Sequence, residues 1–229
     1  TRRLADAAGS VVAVEVDQQF RPHLEALAQT RPNIRLVWGD ATRVEWPPFN
    51  KVVANLPYKV ALPLIFRFLE NRLDAGLVII QQELARRLCA EPGEAGYGAV
   101  TVALRRIARF CLLRSVGSAA FDPPPEVESA AVGFTPEPEP YRVPDETQFR
   151  RTLDHLFLRR TQTVEAVLKV LAPTGSTGKL LGLVRRELRS QLVAQVAPEA
   201  FGQIAQALHK TGVRLGAVSN EAKRTSQRK

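Results

Sequence analysis

The chain has 229 residues, of which 45% are hydrophobic, with two cysteines, no methionine and a formal net charge of +9. That suffices for one full-sized α/β domain with a small appendage and a buried core. No run approaches the ~18 to 20 consecutive apolar residues of a membrane-spanning helix, and Thr1-Arg2-Arg3-Leu4 leads into a helical pattern rather than a signal peptide. A cytoplasmic protein without a membrane span is expected. Cys89 and Cys111 lie in apolar contexts without metal-ligand spacing, so they are expected to be reduced and buried, and no metal site is implied.

The alternation of patterns begins at once. Val11 to Val16 is a β-branched strand, and Gln18 to Gln29 follows with Phe20, Leu24, Leu27 and Ala28 at helical spacing. Ile34 to Trp38 and Lys51 to Ala54 are short strands, Ala61 to Leu69 a helix, Leu77 to Ile80 a strand, and Glu83 to Cys89 a helix. Such alternation predicts a parallel sheet with helices on both faces. Arg109 to Val116 and Ala130 to Phe134 are two strands with little helical pattern between them, which predicts a closing antiparallel pair. The stiff, polar stretch Thr135 to Pro140 marks a boundary. Beyond it, Phe149, Leu153, Leu156 and Phe157, then Val164, Val167, Leu168 and Leu171, then Phe201, Ile204, Ala205 and Leu208 are helix-spaced. The expected organisation is a catalytic domain over residues 1–140, a small helical domain over 145–220 and a basic tail over 221–229.

Charge follows that division. Residues 1–145 carry 17 Lys+Arg against 17 Asp+Glu, whereas residues 146–229 carry 15 against 6. A neutral domain joined to a basic appendage fits an enzyme that grips a polyanion, because phosphate neutralisation supplies most nonspecific nucleic-acid affinity. A solubilising surface is the plainer alternative.

Three strand ends carry candidate chemistry. Glu15-Val16-Asp17 closes the first strand, where an acidic residue either accepts from ribose hydroxyls or serves as an ordinary loop cap. Gly39-Asp40-Ala41 follows the second, where Asp40 either accepts from an exocyclic amine such as that of adenine or caps the next turn. Together they point to an adenosine-containing cofactor. Asn55-Leu56-Pro57-Tyr58 follows the third strand. The amine of a purine is a poor nucleophile because its lone pair is delocalised into the ring. The Asn55 side-chain carbonyl and the Leu56 backbone carbonyl would draw that nitrogen towards tetrahedral geometry, Pro57 would stiffen the turn, and Tyr58 would stack on an extruded base; taken alone, the tetrapeptide reads as a Pro turn after a strand with Tyr58 packed in the core. Downstream, the proline-rich loop Phe121 to Ala130 either presents Phe121 as a second aromatic wall or is a simple connector.

Taken in order, Val12 to Asp17, Gly39 to Ala41, Asn55 to Tyr58, Gln82 to Leu88, Tyr97-Gly98 and the Phe121 to Ala130 loop resemble the ribosomal RNA adenine N6,N6-dimethyltransferases, especially the small-subunit type. The resemblance implies a class I S-adenosylmethionine-dependent methyltransferase sheet, Rossmann-like, with a small C-terminal helical domain. It implies cofactor contacts at Glu15, Val16, Gly39, Asp40, Ala41 and Asn55, and a target-amine site at Asn55, Leu56, Pro57, Tyr58 and Phe121. RNA contacts are implied at Arg159 and Arg160 and at Arg86 and Arg87, where a salt-bridged polar helix face is the plainer alternative. The substrate would be small-subunit ribosomal RNA or an immature small subunit, the product dimethyladenine, and the enzyme a monomer.

The chain departs from the family in three places. Lys59-Val60-Ala61 follows Tyr58 where the family has Asn and, two positions later, a hydroxyl residue; Gln162 replaces a customary lysine; and the family's Gly-x-Gly-x-Gly loop is absent. The family's first strand, which carries that loop, lies between the strands at 11–16 and 51–54. Lacking a methionine, the 229 residues are expected to begin inside a longer chain, with that strand missing from the sheet, and to bind the cofactor poorly or not at all. Large-subunit methyltransferases of the macrolide-resistance type share most of these features, though Leu56 favours the small-subunit type. A noncatalytic RNA-binding, assembly or transcription factor is the alternative of another class. DNA adenine methyltransferases would carry Asp or Asn followed by Pro-Pro-Tyr.

Overall fold

The computed structural model describes residues 1–219, so the expected basic tail at 221–229 lies outside the described residues. The chain divides into two compact units, the first running from Thr1 to Val78 and the second starting at Ile79.

In the first unit, α1 (Arg2–Ala7) leads into β1 (Val11–Glu15), α2 (Arg21–Thr30) and β2 (Ile34–Trp38). The β-branched runs of β1 and β2 pair in parallel, from Val11 opposite Ile34 to Glu15 opposite Trp38. The helix expected from Gln18 begins at Arg21, preceded by a single 3-10 turn, Gln18–Phe20. Pro22 explains the offset: it has no N–H to return to Gln18, so it is accommodated only in the first turn of α2. β3 (Lys51–Asn55) precedes a 3-10 turn, Tyr58–Val60, and α3 (Ala61–Leu69). Along α3, Ala61, Leu64, Ile65 and Phe68 form the buried stripe that helical spacing requires.

β4 (Ala75–Gln81) runs across the division between the units, with alternate residues Gly76, Val78 and Ile80 buried. The strands form two sheets: β1-β2, and a second of order β3-β4-β6-β5. β1 and β3 therefore each end a sheet, with one hydrogen-bonded neighbour apiece among the described residues. In β3 the side chains of Lys51, Val53 and Asn55 are exposed.

In the second unit, α4 (Gln82–Cys89) and α5 (Ala99–Arg105) precede β5 (Ala108–Val116) and β6 (Ser129–Pro136). β5 and β6 are antiparallel, as the sequence pattern predicts, with an irregularity between Leu112 and Arg114. The pattern assigns no helix at 99–105, where Val100-Thr101-Val102 is β-branched. The Gly98 N–H donates to the Thr101 hydroxyl, and burial of Thr101, Val102 and Leu104 overrides strand propensity. Cys111 corrects the expectation of burial: it is exposed, because β5 is the outer strand of its sheet. Cys89 is half-buried, and burial pushes its thiol pKa up.

Beyond β6 come α6 (Glu146–Phe157), α7 (Val164–Leu171), α8 (Thr177–Gly182), α9 (Arg186–Ser190) and α10 (Phe201–Lys210). Asp145 and Thr163 cap α6 and α7 through side-chain oxygens. Phe149, Leu153, Leu156, Val167, Leu168, Phe201 and Ile204 pack into one core together with Tyr97 and Val102 from the sheet side of this unit. The Tyr97 hydroxyl donates to Val196 O at 2.7 Å, and the buried Arg106 guanidinium pairs with Glu139 at 2.5 Å and with Glu146. The polar stretch at 135–140 is thus anchored through Glu139 to Arg106, the residue that caps the C-terminus of α5.

Candidate functional site

β1 and β2 run in parallel and end together, so their loops emerge side by side, where ligands bind in open α/β sheets. The Gly39 N–H donates to Glu15 O at 2.8 Å, joining one loop to the other. Glu15 Oε1 accepts from the amides of Val16 and Asp17, both at 2.8 Å, and Val16 is 62% exposed. That arrangement fixes the carboxylate at the strand end, with no hydrogen bond to Oε2 among the described residues.

Asp40 is held in a similar way. Its Oδ1 accepts from the Thr42 amide at 2.8 Å and from the Thr42 hydroxyl at 2.7 Å, while Arg43 Nε lies 3.7 Å from Oδ2. The Thr42 hydroxyl, then the Thr42 amide and the nearby Arg43 and Arg67 charges, hold the Asp40 carboxyl below the usual carboxylate range. Gly39 carries φ +144°, a conformation side chains rarely adopt, and a Cβ there would meet Val44 Cγ1 at 2.6 Å. Glycine is therefore required both by the backbone and by the space beneath it. The structure brings Glu15, Val16, Gly39, Asp40 and Ala41 together.

Asn55 is the last residue of β3, exposed, and its carboxamide makes no hydrogen bond among the described residues. Leu56 is buried, Pro57 is exposed, and half-buried Tyr58 opens the 3-10 turn in which Val60 N donates to Pro57 O. A buried leucine beside an exposed asparagine turns the Asn55 side chain away from the core.

The remaining candidates lie in the second unit. Phe121 is half-buried, and its amide donates to Ser118 O at 3.1 Å. Arg86 is exposed and Arg87 half-buried on α4, whose Gln82 amide donates to Glu128 O at the end of the Phe121 loop. Arg160 directs its guanidinium to the carbonyls of Ala95 and Glu94, at 2.7 and 2.9 Å, and Arg159 is half-buried. Arg86, Arg87, Arg159 and Arg160 form no ion pair with a carboxylate among the described residues, so their charges are not neutralised there. Tyr97 of the Tyr97-Gly98 pair is 1% exposed and structural.

Sequence reasoning passed over Thr42, which fixes Asp40, and Arg67, whose terminal nitrogens donate to Ala41 O and, at 2.5 Å, to Val44 O. The available signal was a single charge inside the apolar run Leu62 to Leu69. Among the described residues no group of His, Cys, Asp or Glu is arranged to hold a metal ion, and no helix is long and apolar enough to cross a membrane.

Residues 1–210 match the family described as Ribosomal RNA adenine dimethylase. A probable ribosomal RNA small subunit methyltransferase A of Thermococcus kodakarensis is 35% identical over 93% of this chain and 77% of its own length. One from Methanococcus maripaludis is 30% identical over 91% of this chain and 82% of its own length. Among solved structures, a dimethyladenosine transferase from Plasmodium falciparum superposes with TM-score 0.80 at 20% identity, over 94% of this chain and 87% of that one. The 23S rRNA methyltransferase ErmE superposes at 0.67 with 22% identity, over 91% and 85%. At these identities the structural likeness is one of fold. The mixed α/β sheet with its helices is accordingly a class I methyltransferase fold, and the chain belongs to the ribosomal RNA adenine dimethylase family.

Proposed function

We propose that this chain transfers methyl groups from S-adenosylmethionine to the N6 amine of adenines in small-subunit ribosomal RNA, giving dimethyladenine. The observation that carries the site assignment is the pair of carboxylates, Glu15 and Asp40, at the ends of adjacent parallel strands, each with one oxygen tied by its own loop. An anionic acceptor at each position fits a ribose diol at Glu15 and an adenine amine at Asp40. When bound, the cofactor supplies an electrophilic methyl on a sulfonium that departs as a neutral thioether.

The rest of the chemistry falls to this chain. The free carboxamide of Asn55 and the backbone carbonyl of Leu56 accept from the target amine and turn its lone pair out of conjugation, and Pro57 holds the two acceptors in place. Tyr58 offers an aromatic face to an extruded base, the family resemblance gives Phe121 the same role, and the amine proton leaves to water without a strong general base. Arg86, Arg87, Arg159 and Arg160 contact phosphates. In this account residues 1–140 are the catalytic domain and 145–220 the helical RNA-binding domain of a monomer acting in the cytoplasm on a maturing subunit.

No Gly-x-Gly-x-Gly run occurs within the 229 residues, and the tests use them preceded by the glycine-loop strand of a relative, referred to below as the extended chain. Labelled methyl groups are offered with unmodified small subunits, large-subunit RNA or DNA. Incorporation into the small subunit alone is the expected result. Labelling of large-subunit RNA in its place refutes the substrate assignment, and binding to the subunit without labelling refutes catalysis.

A further inference from the structure

The cofactor loops and the target-amine motif are tied by a residue that belongs to neither. Arg67 lies on α3, the helix leading away from Asn55-Leu56-Pro57-Tyr58. Its guanidinium carbon stands 3.8 Å from the Trp46 ring centroid, and Trp46 itself stacks on Phe68 at 5.1 Å. One terminal nitrogen donates to Ala41 O and the other to Val44 O. Those two carbonyls belong to the turn in which Asp40 O accepts from the amides of Arg43 and Val44, at 2.8 and 2.9 Å. Among the described residues Arg67 forms no ion pair with a carboxylate; its strong contacts are to the backbone of this loop and to the Trp46 face.

We propose that Arg67 is a positioning residue for the adenine subsite, clamping the Asp40–Val44 turn so that the second carboxylate oxygen of Asp40 meets the exocyclic amine of the cofactor. This rests on the assignment of Asp40 to the adenine. The shape of the donor suits it to this role. A planar guanidinium can serve two separated carbonyls from two nitrogens while lying on an aromatic face, whereas lysine offers a compact point charge without that flat fork and stacks poorly. Because Arg67 is anchored on the helix that follows the target-amine motif, it also fixes the position of the adenine subsite relative to that helix.

The test separates positioning from mere packing by asking which base is bound. S-adenosylhomocysteine and its deaminated analogue S-inosylhomocysteine differ in the group facing Asp40: an amine that donates, or a carbonyl oxygen that a carboxylate repels. Dissociation constants for both are measured on the extended chain by calorimetry, with thermal midpoints alongside. The unsubstituted protein is expected to prefer the adenine ligand at least about tenfold, a preference of roughly 1.4 kcal/mol. Arg67→Gln is expected to bring that ratio close to one, and to speed hydrogen exchange at the Thr42 to Val44 amides. Should Arg67→Gln fail to fold, Arg67→Lys carries the test, with the preference expected to fall at an unchanged thermal midpoint. A preference retained in the substituted protein, with unchanged exchange in the turn, overturns the role of Arg67 while leaving the Asp40 assignment standing. Absence of any preference in the unsubstituted protein overturns both.

Discussion

Gly39→Ala tests how the loop between β2 and β3 is built. The new methyl group meets two separate obstacles. The backbone at φ +144° costs a residue with a side chain about 1 to 3 kcal/mol, and the Cβ lands 2.6 Å from Val44 Cγ1, an overlap worth a further ~1 to 3 kcal/mol if the neighbour yields only in part. The sum, about 2 to 6 kcal/mol, is a large share of the ~5 to 15 kcal/mol that stabilises a typical domain. A double-mutant cycle separates the contributions. Val44→Ala removes the colliding methyl, so the Gly39→Ala/Val44→Ala protein is expected to recover the overlap component and keep the backbone component. Urea denaturation followed by tryptophan fluorescence is a suitable assay, because both tryptophans, Trp38 and Trp46, belong to the unit that contains Gly39. A Gly39→Ala cost under about 1 kcal/mol would refute the reasoning. Equal costs of Gly39→Ala with and without the Val44→Ala substitution would refute the overlap component alone.

Tyr97→Phe strands the buried Val196 carbonyl, which accepts from the Tyr97 hydroxyl at 2.7 Å, and is expected to lower stability by about 1 to 3 kcal/mol while leaving cofactor affinity unchanged; a thermal scan with a parallel ligand titration reads both. Thr42→Val removes the hydroxyl that contributes most to holding Asp40 below the usual carboxylate range. Binding that depends on ionised Asp40 is fully present above the ordinary carboxylate pKa and is lost as pH falls through the lowered one. The substitution is therefore expected to move the acid limb of S-adenosylhomocysteine binding to higher pH in a titration of the extended chain, and an unmoved limb would contradict the assignment.

The elements that could be read from the sequence were those in which one local signal dominates. β1, β2 and β3 follow from β-branched runs, and α3, α6, α7 and α10 from apolar residues at helical spacing. α5 was missed because Val100-Thr101-Val102 favours a strand locally, while its helical state depends on burial against distant chain, which no window of sequence contains. Cys111 was misjudged because its apolar neighbours Phe110 and Leu112 suggest a core strand, whereas exposure is set by β5 being the outer strand of its sheet. The site divides along the same line. Glu15, Asp40 and Asn55 announce themselves by standing at strand ends. The residues that fix Asp40 do so through contacts that become visible only in the fold: Thr42 through its hydroxyl, and Arg67 through backbone carbonyls 26 and 23 residues away in sequence.

The nucleoside product tests methyl transfer to adenine most directly. Small subunits incubated with the extended chain and S-adenosylmethionine are digested and analysed by mass spectrometry, beside the same protein carrying Asn55→Ala. N6,N6-dimethyladenosine is expected with the unsubstituted protein, and at least about a hundredfold less with Asn55→Ala, equivalent to roughly 2.7 kcal/mol of transition-state stabilisation. Unmodified adenosine from both, or equal dimethylation by both, would contradict it.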